Sequence, residues 1–299
     1  MILVDFSQVA IAGCYAFQSD FKKGRDTNKM RDIIRHAFLT SILGIKKNHA
    51  KKYGEIVFAC DGSRSWRKDA FKHYKANRAK GREDSDLDWS AIFDHINSLQ
   101  EEMIKFFQWR VIKINGAEGD DIIGVLTKYV TDTHMKLDGL FEVVEPVLII
   151  SSDKDFFQLH TTPTVAQYSP IQKKMVGDSS PDFLIEKIIR GDAGDGVPSV
   201  LCADDWFVNE AYDGVRAAAV TKAVVAKFKS GVGLTDEETR RLNRNKQMIS
   251  FECIPESLST EIINSYESIK PNRDLEKTLN FLISVRAKQL IDRIREFSA

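Results

Sequence analysis

Three short runs rich in Val, Ile and Leu constrain this chain most, because each runs straight into an aspartate. ILV (2–4) meets Asp5, EIVFAC (55–60) meets Asp61, and VLIISS (147–152) meets Asp153, with Asp155 two residues further on. Runs of this length, separated by stretches of helical periodicity, read as buried parallel strands of an α/β sheet. In such sheets ligands bind outside the carboxyl ends of the strands, so the three aspartates are expected at one edge. A single Asp there is commonplace as a helix cap. Three, joined by Glu118, Asp120 and Asp121, gather negative charges that repel unless a cation holds them. Oxygen donors with no His or Cys in the motifs favour Mg²⁺ or Mn²⁺ over Zn²⁺.

Composition narrows the class without naming it. With 299 residues, 43% of them hydrophobic, the chain can bury one large core or two modest ones. Lys+Arg 43 balances Asp+Glu 43, so only the distribution of charge can speak of a nucleic-acid partner. The four cysteines (Cys14, Cys60, Cys202, Cys253) form no CxxC pair, which fits a reducing compartment and argues against structural zinc. The first apolar run stops at Asp5, too short for a signal peptide, and no stretch approaches the ~20 apolar residues of a membrane span. The expectation is an intracellular protein.

Periodicity predicts strands at 2–4, 55–60, 110–114 and 147–151, with a terminal strand and hairpin at 165–168 and 173–176. A helix carrying Ile33, Ile34, Ala37, Phe38, Ile42 and Leu43 joins the first two. Another over 88–107 and a third from about 117 follow. Beyond Pro181 the apolar pattern is helical to the end. Two domains are expected, an α/β part over 1–180 with a charged excursion at about 62–90, and a helical part over 181–299.

Four motifs carry the chemistry, and each has a plainer reading. Ala-Glu-Gly-Asp-Asp (117–121) taken alone is a helix start whose carboxylates favour the macrodipole. Ser-Ser-Asp-Lys-Asp (151–155) could be an Asx turn closing a strand, yet Asp153 and Asp155 at extended spacing also suit a shared ligand loop. Gly191-Asp-Ala-Gly-Asp-Gly196 could be a helix C-cap with polar turn residues. Residues 64–82 hold eight Lys/Arg against one Asp, with Trp66, Phe71 and Tyr74 interleaved. A charge run is usually a solvated face. This one follows Asp61 directly and mixes cations with aromatics as single-strand channels do. Arg64, Arg67, Lys68, Lys72, Tyr74, Lys75, Arg78, Lys80 and Arg82 are therefore the candidate nucleic-acid contacts. A basic segment beside an acidic metal cluster is what phosphodiester hydrolysis needs. The six histidines show no ligand-like spacing, and no Ser, His or Cys arrangement suggests a nucleophile, so metal-activated water is expected.

Taken in order, LVDFSQ, ACDGSRSWRKDAFKHYKANR, AEGDDIIGVL, LIISSDKDFFQLH and GDAGDGVPSV resemble the flap endonuclease/5′-nuclease family, closest to its T-even phage ribonuclease H branch. The resemblance spans about 2–200 and, more loosely, the helical tail. It implies a PIN-like α/β nuclease with a basic arch and a DNA-binding helical part. It implies two Mg²⁺ sites in which Mn²⁺ can substitute, with Asp5, Asp61, Glu118, Asp120, Asp121 and Asp153 at the first and Asp155, Asp192 and Asp195 at the second. Lys75 and Arg78 resemble the arch residues that act on the scissile phosphate, and Tyr74 a base-stacking neighbour. The implied activity is 5′ to 3′ exonuclease and flap cleavage of RNA·DNA and DNA·DNA duplexes, with ribonuclease H removal of lagging-strand primers. Implied partners are a single-stranded-DNA-binding protein and a sliding clamp, in the host cytoplasm if the gene is a phage's. The chain departs from the family after the GD-x-x-D motif, where Val197-Pro-Ser-Val-Leu-Cys lacks the glycines of a helix–hairpin–helix loop and 203–214 looks inserted. Two other classes compete. An aspartyl phosphatase would need an acid where Ser7 stands, and a silent nucleic-acid-binding relative would have lost carboxylates that are all present here.

Overall fold

The computed structural model describes residues 1–138, 141–177, 179–271 and 274–298. Its strands are β1 (Ile2–Asp5), β2 (Ile56–Cys60), β3 (Arg110–Lys113), β4 (Met135–Asp138), β5 (Phe141–Val144), β6 (Val147–Ile150), β7 (Val165–Ser169) and β8 (Lys174–Met175). The helices are α1 (Phe6–Ala16), α2 (Thr27–Tyr53), α3 (Trp66–Ala70), α4 (Arg78–Glu83), α5 (Trp89–Phe106) and α6 (Gly119–Thr133). Then come α7 (Phe183–Arg190), α8 (Lys222–Ser230), α9 (Asp236–Ile249), α10 (Glu256–Ser268), α11 (Leu275–Ser284) and α12 (Lys288–Ile291). One six-stranded sheet runs in the order β3-β2-β1-β6-β7-β8, parallel except for β8. The antiparallel pair β4–β5 stands apart from it and has no counterpart among the sequence expectations.

The chain forms two compact units. The first comprises Met1–Ser63, Asp86–Gly177 and Glu256–Ala299 and contains the sheet. Strand residues alternate between its faces. Ile2, Val4, Ile56, Phe58, Leu148 and Ile150 join one core with Phe6, Ile34, Phe38 and Leu99 from α1, α2 and α5. Leu3, Val57, Ala59 and Ile149 point to the opposite face, where α6 packs on β1, β2 and β6. Buried on both faces, these strands lack polar alternation, and that is why they read as continuous apolar runs.

The second unit comprises Arg64–Ser85 and Asp178–Pro255. Phe71, Tyr74, Ile188, Val197, Met248 and Ile249 make one of its clusters, and Ile189, Val200, Val225 and Phe228 another. The loop after Val197, without the family's glycines, is held by side chains instead. Arg244 donates to Pro198 O (2.9 Å) and pairs with Asp204, and Asn245 donates to Ile188 O (2.8 Å) and Pro198 O (2.9 Å).

Contacts group the chain differently from the expected break near residue 180. The described residues of the tail, 256–271 and 274–298, pack with the sheet, because Phe281, Leu282, Leu290 and Phe297 enter the same core as Phe6 and Phe58. Phe106 stacks on Phe281 with ring centroids 4.4 Å apart, and Phe107 meets Phe297 at 5.5 Å. On α10, the Tyr266 hydroxyl donates to Glu55 (3.0 Å) beneath the Arg110 guanidinium, 4.2 Å from the ring. Helical periodicity reveals an apolar face but not which surface receives it. Phe297→Ala is expected to cost about 3–5 kcal/mol of unfolding free energy, as for other fully buried aromatics. Urea denaturation checks this; a loss below about 1 kcal/mol would mean that the tail does not belong to this core.

Candidate active site

The register of the sheet decides which carboxylates meet. Asp5 pairs with Ala59, two residues short of Asp61, and Val4 pairs with Ile150, which places Ser151 level with Asp5. Hydrogen bonds then tie the strand ends together. The Ser151 hydroxyl donates to Asp5 Oδ2 (2.9 Å) and accepts from the Asp153 amide (3.1 Å). Asp5 Oδ1 caps α1 by accepting from the Gln8 amide (3.0 Å). Asp61 accepts from the Ser7 hydroxyl (2.6 Å) and from the Gly119 amide (2.8 Å), so the start of α6 is fastened to the end of β2. In a reciprocal capping box, Asp121 accepts from the Glu118 amide (2.9 Å) and Glu118 from the Asp121 amide. Asp155 donates its amide to Asp153 Oδ1 (2.8 Å).

Two glycines permit these approaches. A Cβ at Gly62 would stand 2.0 Å from Ile114 O, inside any permitted contact. One at Gly119 would stand 3.2 Å from Ala59 O and 3.6 Å from Asp61 Oδ1. The segment 61–62 and the start of α6 can thus touch backbone to backbone.

Asp5, Asp61, Asp153 and Asp155 lie at the carboxyl ends of β1, β2 and β6 or just beyond them, and Glu118, Asp120 and Asp121 at the start of α6, which follows β3. Asp5 is 9% exposed, and burial pushes its carboxyl up to about 7. The charges of Asp61 and Asp153 push it the same way, against the Gln8 amide and the Ser151 hydroxyl. Among the described residues no three His, Cys, Asp or Glu side chains already surround one point as metal ligands do. Asp5 accepts from Gln8 and Ser151, and Asp61 from Ser7 and Gly119. The donor set, carboxylate oxygen throughout, is nevertheless that of a hard divalent cation. Ser7 and Ser151 were not expected as parts of this site; the only sequence signal for them is a hydroxyl beside each strand-end aspartate.

In the second unit, two motifs far apart in sequence become one constellation. Asp195 accepts from the Tyr74 hydroxyl (2.8 Å) and from Arg78, and the Lys75 ammonium lies 3.8 Å away. The Lys75 amide donates to Asp195 O (2.8 Å), Asn77 to Ala193 O (2.7 Å) and Arg78 Nε to Gly194 O (2.9 Å). Lys75 adopts φ +56°, a left-handed conformation rare for a side-chain-bearing residue. Burial opposes the charge of Asp192, but the Lys187 ammonium at 2.8 Å and the amides of Asp195 and Gly194 hold its carboxyl below the usual range.

Two expectations change here. Tyr74 is 3% exposed with its ring in the core and Phe71 is 6% exposed, so these two are packing residues that offer no open face to a base, while Trp66 is half-buried against them. Arg67 is 3% exposed and donates to Met248 O (2.8 Å), which removes it from the candidate contacts. Arg64, Lys68, Lys72, Arg78, Lys80 and Arg82 are exposed, and Lys75 is half-buried. The second metal set is divided, with Asp155 in the first unit and Asp192 and Asp195 in the second.

Comparison with known proteins bears on both parts of the chain. The model of the 5′-3′ exonuclease N-terminal resolvase-like domain matches residues 1–188, and that of the T4 RNase H C-terminal region matches 178–297. The ribonuclease H of Enterobacteria phage T4 is 33% identical over 308 aligned residues, covering 99% of this chain and 95% of that protein. A 5′-3′ exonuclease of Buchnera aphidicola is 27% identical over 67% of this chain and 65% of its own length. Among solved structures, a T5 5′-exonuclease with bound divalent zinc superposes with a TM-score of 0.56 at 15% identity, covering 96% of this chain and 98% of that one. A T5 flap endonuclease complexed with DNA and metal ions gives 0.56 at 13%, covering 96% and 97%.

Because the Asp5 carboxyl is raised in the folded state, its stabilising contribution is complete below about pH 4 and is lost as pH rises to about 7. In chelator, Asp5→Asn should therefore raise the thermal midpoint at pH 8 and change it little at pH 4. Melting curves at both pH values test this; equal midpoints at pH 8 would mean that the carboxylate is not crowded there.

Proposed function

We propose, from the premise that this chain belongs to the 5′-3′ exonuclease family and hydrolyses phosphodiesters, that it is a divalent-metal-dependent 5′ to 3′ exonuclease and flap endonuclease. Its substrates are RNA·DNA and DNA·DNA duplexes with 5′ ends or flaps, and its work is removal of RNA primers from lagging-strand fragments. The observation that carries this reading is the row of carboxylates at the ends of three adjacent parallel strands, joined through Ser7, Ser151 and the Gly119 amide. Phage T4 ribonuclease H, similar over nearly the whole chain, supports RNA·DNA hybrid as a substrate. No helix among the described residues is long and apolar enough to cross a membrane. Action in the host cytoplasm is proposed with that role. A single-stranded-DNA-binding protein and a sliding clamp are the partners proposed with that role.

Asp5, Asp61, Glu118, Asp120, Asp121 and Asp153 would hold the metal, with Mg²⁺ the proposed ion. When bound, a divalent cation lowers the pKa of a coordinated water and neutralises charge on the phosphate. The residues of the chain supply the rest. Burial of Asp5 keeps competing water out and makes its charge worth most when a cation is present. The capping box fixes Glu118 and Asp121 before any ligand arrives, so less ordering is needed on binding. Lys68, Lys72, Arg78, Lys80 and Arg82 offer exposed cations to the phosphate backbone, and Lys75 a half-buried one.

A labelled 5′-flap, a nicked duplex and an RNA·DNA hybrid, each with Mg²⁺ or with EDTA, test the reading on one gel. Cleavage should require Mg²⁺ or Mn²⁺ and stop in EDTA; cleavage in excess chelator would sink the metal mechanism. Arg78→Ala should weaken DNA binding and lower the slope of log affinity against log salt by about one, since one phosphate contact is lost. An unchanged slope would return that residue to the role of an ion-pair partner for Asp195.

A further inference from the structure

The turn that delivers Asp153 and Asp155 lies beyond the last strand pairing. β6 and β7 register up to Ile150 opposite Tyr168, and the Ser151 amide still reaches Tyr168 O (3.1 Å). Past that point a side chain of β7 takes over. Gln167, 1% exposed and in register with Ile149, donates through Nε2 to Ser151 O (2.8 Å) and to Asp153 O (2.6 Å). One amide nitrogen carries two hydrogens, and here each meets one carbonyl of the same turn. Both partners are acceptors, so the orientation of the amide is fixed by the network. Two residues on, Ser169, also 1% exposed, shares a hydrogen bond with Ser152 (2.6 Å).

The chemistry of Gln167 is unusual for its place. Its neighbour on the same face, Val165, is apolar, and Ala166 and Tyr168 pack on the main core. A Leu or Met would fill the position without burying an amide. Moreover, the buried Oε1 accepts no hydrogen bond from any described residue, a cost the fold bears without return to its own packing. What the side chain obtains for that cost is a fixed distance between the two carbonyls flanking Ser152 and Asp153.

We infer that Gln167 is a positioning residue for the metal-binding turn, holding the backbone of 151–153 so that Asp153 stands preformed beside Asp5. This rests on the metal-dependent nuclease reading. Gln167 touches neither substrate nor metal and acts through the turn. Outer residues that orient ligands in this way typically change metal affinity by about 10–100-fold when lost.

The test uses the full chain with Gln167→Met, which keeps length and loses both donations, and with Gln167→Glu, which keeps shape but presents oxygen to the two carbonyls. Mn²⁺ affinity is measured by titration calorimetry without nucleic acid, together with thermal midpoint, kcat and KM on a nicked duplex. Both variants should fold, with Mn²⁺ bound about 10-fold more weakly or worse and kcat reduced but partly recovered at high Mg²⁺. KM should stay unchanged, because the basic segment is untouched. Wild-type Mn²⁺ affinity and kcat in Gln167→Met would overturn the inference while leaving the metal reading intact. Absence of Mn²⁺ binding by the wild type would overturn both. Unfolding of both variants would assign Gln167 to the fold alone and overturn the positioning role.

Discussion

The structure of the first unit depends on one packing constraint. Strands β1, β2 and β6 are buried along their whole length, so they carry apolar residues up to their ends. The first positions free to be charged are the strand ends, and in parallel strands these ends lie on the same side. Concentration of Asp5, Asp61 and Asp153 is therefore a consequence of burial elsewhere. The carboxylates would repel one another into disorder if left to solvent. Ser151 instead gives Asp5 a donor, Ser7 and the Gly119 amide serve Asp61, and the Asp155 amide serves Asp153. Half-satisfied in this way, Asp5 stays buried and is poised to accept a stronger partner.

The second unit solves a different problem. A segment with eight cations in nineteen residues gains little by folding on itself. It becomes ordered because its aromatics, Phe71 and Tyr74, enter a core with Ile188, Val197 and Met248, and because Asp195 draws Tyr74, Lys75 and Arg78 to one loop. Arg64, Lys68, Lys72, Lys80 and Arg82 stay outward, while Arg67 is buried. Trp66, Phe71 and Tyr74 in the basic run resemble a stacking channel in sequence, yet they serve as its anchor. Aromatic residues among lysines give the same pattern whether they bind bases or a neighbouring helix; only burial tells the two apart.

Much of this was legible in the chain. The Val/Ile runs marked β1, β2 and β6 because strands buried along their whole length have no polar residues to interrupt them, and β3 showed through its Val111-Ile112 pair. The aspartates marked the functional edge because charge can appear only where a buried strand stops. Strands β4 and β5 escaped notice, since a hairpin standing apart from the main sheet lacks that uninterrupted apolar signal. Gln167 escaped too, because a glutamine within a short strand carries no periodic signature; its meaning lies in two carbonyls that only the fold places within its reach.

By itself, the sequence determined the α/β class, the positions of the main parallel strands and the aspartates at their ends, since all three follow from local alternation between apolar and charged residues. Only the tertiary structure decided where residues 256–299 and 64–85 belong. Phe281 and Phe297 bring the tail onto the sheet, and Asp195 gathers the basic segment beside the loop at 192–196. An apolar helix face or a charged side chain fixes that a partner exists. Which partner it meets depends on long-range packing and pairing, and no local pattern encodes that.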